Sequence, residues 1–121
     1  METHKNLIVW QKSIALVTSV YEFTKSYPRE EIYGITSQIR RAAVSIPSNM
    51  AEGCARKTTK EYLHFLYVSL GSAAELETQF IISANLGYIG LEQKKQLQMA
   101  LEEIMRMLLA LIKSLSTKLV N

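Results

Sequence analysis

Four stretches of this chain carry apolar or small residues at alternating spacings of three and four, the period that lines up side chains on one face of an α-helix. The first stretch reads Leu7, Trp10, Ile14, Val17, Tyr21 and Thr24, and the second Ile32, Ile35, Ile39, Ala42, Ile46 and Met50. The third reads Leu63, Leu66, Leu70, Ala73, Glu77, Phe80 or Ile81, and Ala84; the fourth reads Leu97, Leu101, Ile104, Leu108, Leu111 and Leu115. No segment alternates with the period of a strand, and no repeat or low-complexity tract interrupts the pattern. Four amphipathic helices with short connections fit an all-α, up-down-up-down antiparallel four-helix bundle, with residues 1–121 forming one domain.

Local signals place the boundaries. Asn6 is the expected N-cap of the first helix, and Tyr27-Pro28 ends it, because proline disfavours helical geometry in the residue before it. Pro47 lies within the second helical pattern, where a kink or local break is expected, and Gly53 begins a connector through Lys57. Thr58 and Glu61 have the spacing of a capping box for the third helix. That helix is expected to run to Leu86, about 42 Å of helix, with Gly87 as its left-handed stop. The small run Gly71-Ser72-Ala73-Ala74 is expected to face Ala42-Ala43, making the second and third helices the tightest pair. The fourth helix starts near Leu91. Beyond its stripe it carries Met105, Met107, Leu109 and Ile112, which read either as singly exposed apolar residues or as a subunit interface; crowding into one segment favours the interface.

The chemistry-bearing residues are few. The chain has one cysteine, Cys54, two histidines, His4 and His64, and no aspartate. No disulfide within the chain and no Cys/His zinc set is possible, and a reducing cytoplasmic setting is the expectation. The apolar run Leu7-Ile8-Val9-Trp10 is too short for a signal-peptide core, and no stretch approaches the ~18 apolar residues of a membrane span. No catalytic pair, phosphate-cradling glycine loop or dinucleotide fingerprint occurs, so no enzyme activity, cofactor or metal is expected. Cys54 beside Arg56 is weak ground for a reactive thiol. Glu77 falls on the apolar stripe of the third helix, near the stretches containing Tyr21, Tyr33 and Gln38; a structural hydrogen bond that fixes register is the expected role.

Charge is unevenly spread. Between Arg40 and Lys60 lie five cations (Arg40, Arg41, Arg56, Lys57 and Lys60) and one carboxylate, Glu52, whereas the rest of the chain holds nine cations and ten carboxylates. The net +3 therefore arises in this one segment. It reads either as a solvated surface or as a polyanion-binding patch, with Tyr62 and Tyr67 nearby as possible stacking platforms.

The block Gln38-Ile39-Arg40-Arg41-Ala42-Ala43-Val44-Ser45-Ile46-Pro47-Ser48-Asn49-Met50-Ala51-Glu52-Gly53 closely resembles the 23S rRNA intervening-sequence proteins. The likeness continues through Leu7-Ile8-Val9-Trp10-Gln11-Lys12, Tyr33-Gly34, Lys60-Glu61-Tyr62-Leu63-His64-Phe65-Leu66, Gly71-Ser72-Ala73-Ala74-Glu75-Leu76-Glu77-Thr78 and Asn85-Leu86-Gly87-Tyr88, nearly the whole chain. Met50 stands where isoleucine is common in that family. The resemblance implies a bacterial four-helix bundle with no assigned catalytic residues. A similar protein, the accessory variability determinant of diversity-generating retroelements, partners a reverse transcriptase, binds nucleic acid and forms a barrel-like homopentamer with positively charged surfaces. A homopentamer is accordingly the expected assembly here. Residues and resemblance together give a non-enzymatic, oligomeric accessory protein that binds nucleic acid, RNA ahead of DNA, through Arg40, Arg41, Arg56, Lys57 and Lys60. The alternative is a protein–protein scaffold with no nucleic-acid role.

Overall fold

The computed structural model describes residues 3–120, and four helices account for most of them: α1 (Ile8–Thr24), α2 (Ile35–Cys54), α3 (Thr59–Asn85) and α4 (Leu91–Val120). Short 3-10 turns at His4–Asn6 and Arg29–Glu31 precede α1 and α2. Consecutive helices pack on one another, α4 closes the ring against α1, and α2 with α3 forms the most extensive interface.

Polar contacts fix the register and show that neighbours run antiparallel. Arg40 Nε donates to Thr24 Oγ1, joining the end of α1 to α2. The Ser45 and Ser72 hydroxyls share a 2.8 Å hydrogen bond, and Ser69 Oγ donates to the Ile46 carbonyl. Lys12 Nζ meets Glu103 Oε1 at 2.7 Å between α1 and α4. The core lies between these four axes and includes Val20, Ile39, Ile46, Met50, Leu66, Leu76, Phe80, Leu101, Ile104 and Leu108, all essentially inaccessible. Truncating any of the large aliphatic ones to alanine is worth roughly 2–5 kcal/mol, so this layer holds the four helices together.

Helix ends follow local chemistry. Thr58 accepts from the Glu61 amide at 3.1 Å, which is half of the expected capping box. Gly87 takes φ +79°, with its own amide on Ala84 O and the Tyr88 amide on Ser83 O, a Schellman stop for α3. Asn6 does not cap α1; its Oδ1 accepts from the Thr3 amide and closes the preceding 3-10 turn. α2 starts at Ile35 rather than Ile32, which is exposed beside the Arg29–Glu31 turn. Helical structure continues through Pro47 and past Gly53 to Cys54, so neither a break nor an early connector forms.

Two stripes differ from the expected ones. In α1 the buried residues are Val9, Ser13, Leu16, Val20 and Thr24, while Ile14 and Tyr21 are exposed. Two apolar lines run along this helix. The core takes the line interrupted by Ser13 because that hydroxyl donates to Val9 O at 2.7 Å and needs no other partner. In α3, Leu76 occupies the core position and Glu77 lies half-buried beside it, with no hydrogen bond or ion pair among the described residues. The register-fixing role expected of Glu77 falls instead to Ser69 and Ser72. In α4, Ile112 belongs to the core and Met105 and Met107 pack against it, leaving Leu109 outermost.

Candidate nucleic-acid interface

The fold divides the basic segment. Arg40 and Arg41 sit in the first half of α2, whereas Arg56 and Lys57 occupy the turn after it and Lys60 the first turn of α3. Thirteen residues of helix separate Arg41 from Cys54, about 20 Å. Arg40 and Arg41 also diverge from one another. Arg40 turns to α1, with its guanidinium 4.8 Å from the Tyr21 ring centroid, and Arg41 borders a polar groove between α2 and α3 with Glu75 and Gln79.

The antiparallel register brings other cations to Arg56, Lys57 and Lys60. The Lys12–Glu103 pair sets α4 against α1, so Lys113 lies about 15 Å further toward the end where the chain starts, and Lys118 beyond it. The 3-10 turn that includes Lys5 packs against both α1 and α2 at this end. One pole of the bundle thus gathers six exposed cations (Lys5, Arg56, Lys57, Lys60, Lys113 and Lys118) against two carboxylates, Glu52 and Glu61. The other described residues hold eight cations and eight carboxylates, so the charge excess belongs to this pole. Lys5, Lys113 and Lys118 had no signal in the linear sequence; only helix topology joins them to the turn.

Local contacts position part of this surface. The Arg56 guanidinium stacks on Phe65 at 4.8 Å and its Nη2 donates to Glu52, which fixes its direction and offsets some of its charge. Lys57 and Lys60 are exposed and make no ion pair among the described residues. Lys118, in the last turn of α4, also complements the partial negative charge of its terminal carbonyls. Tyr67 is exposed about two turns beyond Lys60 along α3, but Tyr62 is packed against Gly53 beside Cys54. Burial, followed by the neighbouring Cys54 thiol, pushes the Tyr62 hydroxyl up to about 12. Its ring is therefore a structural element, and Tyr67 alone is presented for stacking. His64 is exposed with its ring 5.2 Å from Phe65, and no set of three metal-ligating side chains comes together among the described residues.

An apolar surface lies elsewhere. Trp10, Ile14 and Val17 of α1 with Val44, Pro47 and Ala51 of α2 line a groove of about 220 Å³. Ile14 and Val44 along it are 40 and 38% exposed. These residues include part of the stripe expected of α1, of which Trp10 and Val17 also pack against the edge of the core and Ile14 is left exposed. No helix among the described residues is long and apolar enough to cross a membrane.

The sequence matches the 23S rRNA-intervening sequence protein family over residues 5–110. The chain belongs to that family. The match spans α1 to α3 and most of α4, so Lys5, Arg56, Lys57 and Lys60 fall inside it and Lys113 and Lys118 beyond it. The fold is similar to that of a Bacteroides thetaiotaomicron protein of unknown function from the S23 ribosomal protein family, at 24% identity and a TM-score of 0.82. The alignment covers 88% of this intervening-sequence protein and 96% of that chain, so the bundle is shared almost end to end. No curated protein matches.

Proposed function

We propose that this intervening-sequence protein is a non-enzymatic accessory protein that binds nucleic acid through the basic pole and works as a homo-oligomer. The observation that carries the reading is the concentration of the described residues' charge excess on one end of the bundle. Six flexible or partly braced cations with two carboxylates suit a phosphate backbone, which rewards counterion release more than exact geometry. RNA is favoured over DNA in this reading, and the family's description supports that choice. Assembly would repeat the pole in every protomer, and phosphate contacts would add. The exposed apolar groove of α1 and α2 supplies the surface for that assembly, in place of the outer face of α4, and a pentameric ring is the assembly we favour. A reverse transcriptase or another protein is the further partner the reading allows.

Fluorescence anisotropy with labelled single- and double-stranded RNA and DNA, titrated between about 50 and 200 mM salt, tests the proposal. Binding that weakens steeply with salt, and is lost when Lys57, Lys60, Lys113 and Lys118 are replaced by Gln, supports it. Absence of binding at the lowest salt removes it and leaves a protein-binding scaffold.

A further inference from the structure

We propose a second, separate anion site at the opposite end of the bundle, where α1 hands over to α2, built to take a single phosphate group. A cavity of about 210 Å³ opens there, and its lining includes Lys25, Arg29 and Arg40 and no carboxylate. Lys25 is paired with the exposed Glu22, whereas Arg29 and Arg40 have no ion pair among the described residues and repel one another unless an anion or water screens them.

Arg40 is braced rather than loose. Its Nε donates to Thr24 Oγ1 at 2.9 Å, and Thr24 in turn donates to Val20 O at 2.6 Å. The face of its guanidinium lies on Tyr21. One nitrogen and one face are thus occupied, and the terminal Nη groups have no hydrogen-bond partner among the described residues. A guanidinium fixed in this way presents a ready fork for two oxygens of an oxyanion.

Thr36 supplies an independent sign. It is 5% exposed, it lines the same cavity, and its hydroxyl has no partner. Thr18, Thr24, Thr78 and Thr117 each give their hydroxyl proton to the carbonyl four residues back. Thr36 belongs to the first turn of α2, and the residue four before it precedes that helix, so its proton remains uncommitted. A buried hydroxyl without a partner is costly unless something accepts from it. The start of α2 has no side-chain cap either, which adds positive potential on the same side. No carboxylate lines the cavity itself: Glu22 pairs with Lys25 at its exposed rim, Glu31 sits beside Gly34 and accepts from the Tyr88 hydroxyl at 2.8 Å, and Glu30 lies outside the lining.

The site takes a phosphate, free or as a monoester. Calorimetric or NMR titration of the full chain with inorganic phosphate and, separately, with adenosine monophosphate, at constant ionic strength set by chloride, tests it. Saturable binding is expected, weakened about tenfold or more by Thr36→Val and by Arg40→Gln. Lys57→Gln with Lys60→Gln, at the other pole, leaves it unchanged. Because Arg40 also braces α1, the exposed pair Lys25→Gln with Arg29→Gln is the second variant, expected to weaken binding several-fold at unchanged melting temperature. Equal affinity for the two probes marks a free-phosphate site, and tighter binding of the nucleotide marks a monoester site. No saturable binding of either probe at millimolar concentration, or binding indifferent to all of these substitutions, overturns the proposal.

Discussion

Gly53 of α2 lies so close to Phe65 of α3 that a methyl group on its Cα would stand 2.9 Å from Phe65 Cβ and 3.1 Å from the Tyr62 carbonyl oxygen. Neither neighbour is the free end of a flexible side chain, so the two helices would have to separate. Gly71, in the middle of α3, would meet nothing within 4 Å. The two glycines therefore predict opposite signs. Gly71→Ala gains helix propensity and is expected to stabilise by about 1 kcal/mol. Gly53→Ala is expected to destabilise by about 1–3 kcal/mol despite the same propensity gain. Paired denaturant melts of the two variants check this, and equal shifts would show that α2 and α3 do not approach closely at Gly53.

The close approach also predicts an alkaline instability. Tyr62 is held in the folded chain with its hydroxyl raised from 10.0 to about 12, first by burial and then by Cys54. The fold prefers the neutral phenol. Stability from this group is therefore complete below pH 10 and is lost as pH rises from there toward 12, because the unfolded chain releases a proton that the folded chain retains. Tyr27, raised by burial, adds to the same trend. Melting temperatures measured from pH 8 upward should fall beyond 10, and Tyr62→Phe should flatten the fall while leaving neutral-pH stability nearly unchanged. An unaltered slope would place the Tyr62 hydroxyl in water.

The features legible in the sequence are those decided within a few residues. Thr58 with Glu61 marks a helix start, and Gly87 marks a stop, because capping depends on neighbouring amides and carbonyls alone. Which stripe of α1 faces inward is a different kind of question. Its flanking line is more apolar than the buried one, and only packing against α2 and α4 reveals that Ser13 and Thr24 are acceptable inside once their hydroxyls bond back to the helix. The small run Gly71-Ser72-Ala73-Ala74 predicts the tight α2–α3 pairing, and Ser72 reaches Ser45 and Ala73 is buried as that pairing requires. The glycine at the closest approach is nonetheless Gly53 and not Gly71, since helix register decides which small residue meets which neighbour. The candidate site shows the same division. Arg56, Lys57 and Lys60 are adjacent in the chain and adjacent in space. Arg40 and Arg41 are near them only in sequence, and Lys5, Lys113 and Lys118 only in the fold.

The exposed part of the α1 stripe leads to a prediction about assembly. Ile14 and Val44 border the apolar groove and are well exposed, so a charge at either position costs the isolated bundle little. In an oligomer closed through this face the same charge is buried and unpaired. Ile14→Glu and Val44→Glu are expected to convert the oligomer to monomer in size-exclusion chromatography with light scattering, with helicity retained. Leu109→Glu, on the outer face of α4, is the comparison and should leave the oligomer intact. The reverse pattern would return the interface to α4.

Lys113 and Lys118 give the sharpest reading of the basic pole, because nothing but topology assigns them to it. Both are exposed, near the end of α4 and outside the core, so Gln at these positions should leave the fold undisturbed. If each meets a phosphate, the double substitution should lower the slope of log K against log salt by about 1.8 for duplex and about 1.4 for single strands, per protomer engaged. Arg41→Gln removes the same type of charge from the α2–α3 groove, about 20 Å from the pole, and should leave the slope as it was. A loss of slope confined to Arg41 would mean that the nucleic acid runs along the side of the bundle. Loss confined to Lys113 and Lys118 would mean that it lies across the end, where one protomer of a ring can hand the strand to the next.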